Sequence, residues 1–147
     1  MKKVLALIAH DSKKDDMVQL IKAHKEELAE IDLIATLGTG QRIREKTGRT
    51  VTMLQSGPLG GEQQAGALVA NGEVKAVIFL RDPLTAHFHE PDVTGLLKVC
   101  DVRNVPMATN LITAEAVLHL MIEHPEALGG NHLAAQFLEE IADKHES

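Results

Sequence analysis

The chain alternates short runs of apolar residues with longer segments in which apolar residues recur every three or four positions. Short continuous apolar runs are typical of strands buried on both faces, whereas a period of about 3.6 is typical of helices that bury one face. The pattern predicts five strands, at residues 4–9, 32–36, 50–54, 76–80 and 105–110. It predicts helices at residues 12–30, 41–47, 61–70, 92–103, 113–123 and about 132–144.

Polar residues at the ends of these segments suggest where the helices begin and end. Asp11 or Ser12 is expected to cap the first helix, and Asn71 with the glycine after it is expected to close the third. Thr113 and Glu115 form a near capping box at the start of the fifth. Strand–helix alternation predicts one domain over residues 1–147, a three-layer α/β/α fold with a five-stranded parallel sheet.

Composition and charge exclude several classes of partner. The 147 residues carry a formal net charge of −6 and include three Phe but neither Tyr nor Trp. A negative chain with few aromatic rings is not expected to bind nucleic acid. The apolar run Val4–Ala9 is too short for a secretory signal, and no run approaches transmembrane length. A single cysteine, Cys100, is predicted to be buried and inert, and the chain is predicted to be cytoplasmic.

Polar and glycine-rich segments follow the predicted strands at the point where each strand ends. In a parallel sheet these carboxyl ends share one edge, where ligands bind. The segments in chain order are HDSKK, TLGTG, QSGPLGGEQ, RDPLTAHFHEPD and TNLIT.

Two of these segments, residues 36–40 and 56–61, are predicted to be loops whose glycines let backbone amides approach an anion. Neither matches a Walker loop, and glycines required only for a tight turn remain the alternative reading. Lys13 and Lys14 lie at the same predicted edge and favour the anion site. Glu62 follows the second segment directly, so the site is expected to hold an anion and also to remove a proton.

The segment at residues 81–92 concentrates titratable side chains after the fourth strand. Asp82, His89 and Asp92 are candidates for acid–base chemistry. A zinc site built on His87 and His89 is the alternative, although the surrounding prolines indicate a loop and no cysteine offers a third ligand. We expect no metal and no other cofactor.

The motifs ALIAHDxKK, SGPLGG.QQ.GA, VIFLRDPLTA, HEPD and VPMATN occur in this order and together identify a family. Up to about Val117 the chain closely resembles the methylglyoxal synthases. The resemblance implies a cytoplasmic homohexamer that converts dihydroxyacetone phosphate to methylglyoxal and inorganic phosphate without a cofactor. Inorganic phosphate is then both product and inhibitor. Regulatory ligand-binding modules of the same fold are the alternative, since they require an anion site but no acid–base set.

The resemblance also implies roles for individual residues. The positions that match the family's substrate- and phosphate-binding residues are His10, Lys14, Thr36, Leu37, Gly38, Thr39, Ser56, Gly57 and His89. The positions that match its catalytic and active-site polar residues are Glu62, Asp82, His89 and Asp92. The chain departs from the family at Glu62, where an aspartate is usual, and at Leu37 and Gly38, where the usual pair is Gly-Thr. It departs again in the C-terminal helix, where many members carry an arginine, because the only Lys or Arg beyond Arg103 is Lys144.

Overall fold

A computed structural model describes residues 3–85, 90–128 and 142–143, with residues 90–92 described by their backbone alone. Its five strands form one parallel sheet in the order β3-β2-β1-β4-β5. The strands are β1 Val4–Ala9, β2 Asp32–Ala35, β3 Thr52–Met53, β4 Ala76–Leu80 and β5 Met107–Ala108. The helices are α1 Lys14–Ala23, α2 Leu37–Thr47, α3 Gly61–Ala70, α4 Glu90–Arg103 and α5 Leu111–Glu123.

The sheet separates two hydrophobic clusters, because successive side chains of a strand point to opposite faces. Leu5 and Leu7 of β1 pack with apolar residues of α1, α2 and α5, whereas Ala6 and Ile8 pack with residues of α3 and α4. The predicted three-layer α/β/α fold with a five-stranded parallel sheet is therefore confirmed.

Three of the predicted segments have the bounds that the sequence predicted. Strands β1 and β4 and helix α3 match the sequence prediction at both ends, and Asn71 occupies the C-cap of α3. Strands β3 and β5 are shorter than predicted, and α4 begins two residues earlier, at Glu90. The predicted last helix lies outside the described residues, except for positions 142–143.

The first helix ends well before the predicted residue 30. Helix α1 stops at Ala23, and the chain continues through turns to β2. The guanidinium of Arg49 binds this connection, since Nη1 donates to the Leu28 carbonyl at 2.8 Å and Nη2 donates to the Ile31 carbonyl. The Leu28 carbonyl also accepts from the Ile31 amide at 3.0 Å, so the turns are held both by their own backbone and by a side chain that follows α2.

Two predicted helix caps are wrong, because both side chains have other partners. Neither Asp11 nor Ser12 caps α1: Asp11 binds Lys14, and Ser12 donates to Asp82. At α5 the cap is Asn110, whose side chain accepts from the Thr113 amide at 3.0 Å. Glu115 instead contacts His24.

The segment at residues 36–40 is also not the loop that was predicted. Helix α2 begins at Leu37, so both glycines lie in its first turn. Gly38 and Gly40 allow close approach instead, since a Cβ would lie 2.6 Å from Lys14 Nζ at the first and 3.0 Å from Met53 Cγ at the second. Among the described residues, no helix is long and apolar enough to span a membrane.

Candidate active site

A cavity of about 540 Å³ lies above the carboxyl ends of the central strands. The chain leaves β1 toward β2 on one side and leaves β4 toward β5 on the other, which makes the β1–β4 boundary a topological switch point. Connections that diverge at such a point leave a crevice, and ligands of parallel α/β sheets bind there.

Most of the residues predicted for the site meet in this cavity. The predicted residues that line it are His10, Lys14, Thr36, Gly38, Thr39, Ser56, Gly57, Glu62 and Asp82. They come from the segments after four different strands, so the fold rather than chain proximity brings them together.

Lys14 supplies the positive charge of the cavity. Its side chain is 18% exposed, and its ammonium group lies over the backbone of Gly38, where a larger residue would leave too little room. Lys14 also donates to the exposed carboxylate of Asp11. This hydrogen bond and the ammonium charge hold the pKa of Asp11 below its usual value. The ammonium group is thus fixed beside the first turn of α2.

Two helical starts point toward the same space. Thr36 is the N-cap of α2, and Ser56 is the N-cap of the short 3₁₀ turn Gly57–Leu59, and neither side chain makes a capping hydrogen bond. The Thr39 hydroxyl lies between them and β1, because it accepts from the Ala9 amide at 3.1 Å. Helix N-termini present amide donors and a positive dipole, an arrangement that suits phosphate.

Glu62 brings a carboxylate into the cavity from the first turn of α3. Its side chain is only 2% exposed. Both carboxylate oxygens lie against the backbone of Gly57. The buried carboxylate is therefore next to the 3₁₀ turn that begins at Gly57, in the same cavity as Lys14.

The ring of His10 is held in one orientation and one tautomer. Its Nδ1 accepts from the backbone amide of Asp82 at 2.8 Å, and the ring packs edge-on against Phe79 with centroids 5.2 Å apart. Because a backbone amide can only donate, Nδ1 carries no proton, and the neutral imidazole has its proton on Nε2. His10 thus offers a hydrogen-bond donor in the cavity.

The carboxylate of Asp82 is held by residues that the sequence analysis did not select. Oδ2 accepts from the Ser12 hydroxyl at 2.7 Å and from the Thr85 hydroxyl at 2.9 Å, while Oδ1 accepts from the Leu84 amide at 3.0 Å. Three donors suit an ionised carboxylate, which only accepts. The Asp-Pro-Leu-Thr sequence is a turn signal that could have indicated the last two contacts.

Three predicted site residues are not among the described residues that line the cavity. Leu37 lies beside it, and its amide donates to the Gln55 carbonyl at 3.4 Å. His89 lies outside the described residues, as does His87 of the alternative zinc site. Asp92 lies in the first turn of α4 and is described by its backbone alone. Within the described ranges no group of three or more His, Cys, Asp or Glu residues could hold a metal ion.

Comparisons with known proteins give one consistent answer. The MGS-like domain family matches residues 16–109. The methylglyoxal synthase of Moorella thermoacetica is 59% identical over 121 residues, which are 82% of this chain and 94% of that protein. The methylglyoxal synthase of Carboxydothermus hydrogenoformans is 60% identical over 117 residues, 80% of this chain and 97% of that protein. A crystal structure of methylglyoxal synthase from Elizabethkingia anophelis superposes with a TM-score of 0.77 at 42% identity, covering 82% of this chain and 81% of that one.

The fold, the cavity and the extent of these matches define an α/β enzyme of the MGS-like domain family, to which this chain belongs. Its activity is that of a methylglyoxal synthase, a carbon–oxygen lyase.

Proposed function

We propose that the described cavity is the active site of this methylglyoxal synthase and that Glu62 is its base. The observation that carries the proposal is the burial of the Glu62 carboxylate in the cavity that Lys14, Thr39 and Ser56 also line. An anion site alone would suit a regulatory module. A buried carboxylate beside that site supports proton abstraction instead.

The proposed substrate is dihydroxyacetone phosphate, and the reaction begins at its hydroxymethyl carbon, next to the ketone. Glu62 removes a proton from this carbon, and the electron pair shifts toward the carbonyl oxygen to give an enediolate. The carbonyl oxygen then needs hydrogen-bond donors near it, because it gains negative charge. His10 offers such a donor through Nε2, and the family resemblance supports His89 in the transfer of protons between the two oxygens.

Elimination follows on the other side of the former carbonyl carbon. The oxygen of the hydroxymethyl carbon becomes a carbonyl oxygen, the carbon–carbon double bond shifts, and the carbon–oxygen bond to phosphate breaks. Lys14, Thr39, Ser56 and the amides at the two helical starts hold the departing phosphate. The enol that remains accepts a proton on its terminal carbon, loses the proton of its hydroxyl group and becomes methylglyoxal.

Asp82 and Asp92 complete the proposed acid–base set. Asp82 joins the segment after β4 to His10, because its backbone amide fixes the imidazole while its carboxylate binds Ser12 and Thr85. The family resemblance supports Asp92 as an active-site carboxylate at the start of α4. Gly57 and Leu37 are assigned to substrate binding on the same ground.

The family resemblance also supports properties of the whole chain. These are a single domain over residues 1–147, assembly as a homohexamer, a cytoplasmic location and inhibition by inorganic phosphate, which competes for the site of the substrate's phosphate group. Sedimentation analysis of the purified chain tests the assembly, and product inhibition kinetics test the competition.

The test of the function is incubation with dihydroxyacetone phosphate in the presence of a chelator, with methylglyoxal and free phosphate both measured. We expect the two products in equal amounts. Release of phosphate without methylglyoxal would indicate a phosphatase. Loss of activity on chelation would favour a metal site at His87 and His89.

A further inference from the structure

Gly57 stands against the carboxylate of Glu62 so closely that a side chain at position 57 has no space. A Cβ built on Gly57 would lie 2.8 Å from Oε1, 3.0 Å from Oε2 and 3.3 Å from Cδ of Glu62. Its three nearest neighbours are thus all atoms of one carboxylate group. Real Cβ atoms do not approach other heavy atoms to 2.8 Å, so a methyl group here would displace the carboxylate.

The backbone at position 57 does not itself require glycine. Gly48, Gly60 and Gly72 have positive φ angles, in the region that favours glycine, but Gly57 does not. An alanine could therefore adopt the backbone conformation of Gly57, and the three nearest atoms in its way, among the residues that the structure describes, belong to Glu62.

We infer that Gly57 is a positioning residue for Glu62. Because Gly57 has no side chain, the carboxylate of Glu62, which extends one methylene further than that of an aspartate, has the space to point at the substrate. This inference rests on the proposed role of Glu62 as the base. Glu62 is 2% exposed, so a displaced carboxylate has little room except within the cavity itself. A displacement there moves the base away from the carbon whose proton it removes.

The test is a double-mutant cycle of wild type, Gly57→Ala, Glu62→Asp and Gly57→Ala combined with Glu62→Asp. Gly57→Ala is expected to lower kcat about 100-fold, the scale of a 1 Å misplacement, with a change in KM of less than about threefold. Aspartate is one methylene shorter and withdraws from position 57. The added methyl group is therefore expected to cost less than about threefold in kcat in the Glu62→Asp background.

Gly66→Ala is the matched control, because it makes the same change within α3, one turn after Glu62. A Cβ there would lie 3.9 Å from Leu96 Cδ1, which is an ordinary contact, and we expect kcat to stay within about twofold of wild type. An equal loss of kcat from Gly57→Ala in both backgrounds would contradict the inference, since the methyl group would then act on the substrate.

The melting temperatures of the same four proteins separate this inference from the proposed catalytic role. If the two residues touch, Gly57→Ala lowers the melting temperature less in the Glu62→Asp background, whether or not Glu62 is the base. Additive shifts in melting temperature together with additive effects on kcat would overturn the inference. If the shifts in melting temperature are not additive but the Glu62→Gln variant keeps full turnover, only the proposed role of Glu62 as the base is overturned.

Discussion

Glu62 differs by one methylene from the aspartate that the family resemblance implies at this position. The chemistry accepts either residue, because triosephosphate isomerase removes a proton from the same substrate with a glutamate. What matters is where the carboxylate lies, and here burial and the Gly57 backbone fix it. The substitution is therefore a change of geometry within one mechanism.

Glu62→Gln is expected to lower kcat by several orders of magnitude while substrate binding survives, because an amide keeps the size of the carboxylate but cannot accept the proton. Glu62→Asp is expected to change kcat by no more than about 100-fold in either direction. Steady-state kinetics with dihydroxyacetone phosphate measure both. Near wild-type turnover in Glu62→Gln would show that Glu62 is not the base but only a favourable charge at a helix N-terminus, worth about 0.3–1 kcal/mol of stability. The base would then be Asp82 or Asp92.

Lys14→Ala and Ser56→Ala are expected to raise KM more than they lower kcat. Both residues are proposed to hold the phosphate group, which is present in the ground state and in the transition state alike. Lys13→Ala is the matched control, since Lys13 is half-buried in the same turn but does not line the cavity. A large fall in kcat with unchanged KM would remove either residue from the phosphate site.

The sequence predicted the composition of the site better than the contacts within it. Parallel strands bring their carboxyl ends to one edge, so His10, Ser56, Glu62 and Asp82 could be grouped without knowing a distance. The contact of Ser12 with Asp82 could not be predicted, because it joins a hydroxyl group and a carboxylate that are 70 positions apart in the sequence. Hydroxyl partners of this kind have no periodic signal.

At the scale of the helices and strands, local signals were sufficient only where no distant side chain intervened. Strand β4 is apolar at every position and buried throughout, and its bounds follow from the sequence alone. Helix α1 ends earlier than predicted, and the turns that follow it are bound by Arg49, which donates to carbonyls 18 and 21 positions before it. Helix α5 begins at Leu111 because the N-cap is Asn110, whose side chain accepts a hydrogen bond from the Thr113 amide.

Arg49→Ala is expected to lower the free energy of unfolding by about 2 kcal/mol, because the charge-assisted hydrogen bonds of Arg49 to the Leu28 and Ile31 carbonyls are lost and the Leu28 carbonyl keeps the Ile31 amide as a donor. Urea unfolding followed by far-UV circular dichroism measures the loss, and the absence of Trp and Tyr makes this signal preferable to fluorescence. Arg44→Ala is the matched control. Arg44 lies exposed in the last turn of α2 and contributes only about 0.3–1 kcal/mol through the helix dipole. Equal losses in the two variants would contradict the role of Arg49.

At the scale of the whole molecule, the buried thiol of Cys100 links stability to alkaline pH. The side chain is fully buried in the cluster beneath α3 and α4, as the sequence predicted, and burial raises its pKa to about 11, with a smaller contribution from Asp101. An unfolded thiol ionises at a lower pH. The contribution of Cys100 is therefore complete below about pH 9 and is lost as the pH rises toward 11.

We expect unfolding free energy to fall by on the order of 2 kcal/mol between pH 9 and pH 11 because of this group. Cys100→Ala starts from a lower stability, since it leaves a cavity, but its stability should depend less on pH over this range. Urea unfolding at several pH values measures the stability of both proteins. The two proteins have the same lysines, so lysine titration contributes equally to both pH profiles. Parallel pH profiles would show that the thiol ionises equally well in the folded state.

The position of β1 at the centre of the sheet also governs when the molecule can fold. Leu5 pairs with Ala76, so about half of the chain must leave the ribosome before the first strand gains its second neighbour. Pairings between residues so far apart in sequence form slowly. Until β4 emerges, β1 and β2 present an open, apolar edge to other nascent chains. The synthesis of this enzyme thus includes an interval in which one edge of β1 is unpaired, and the cavity above the β1–β4 boundary can form only when that interval ends.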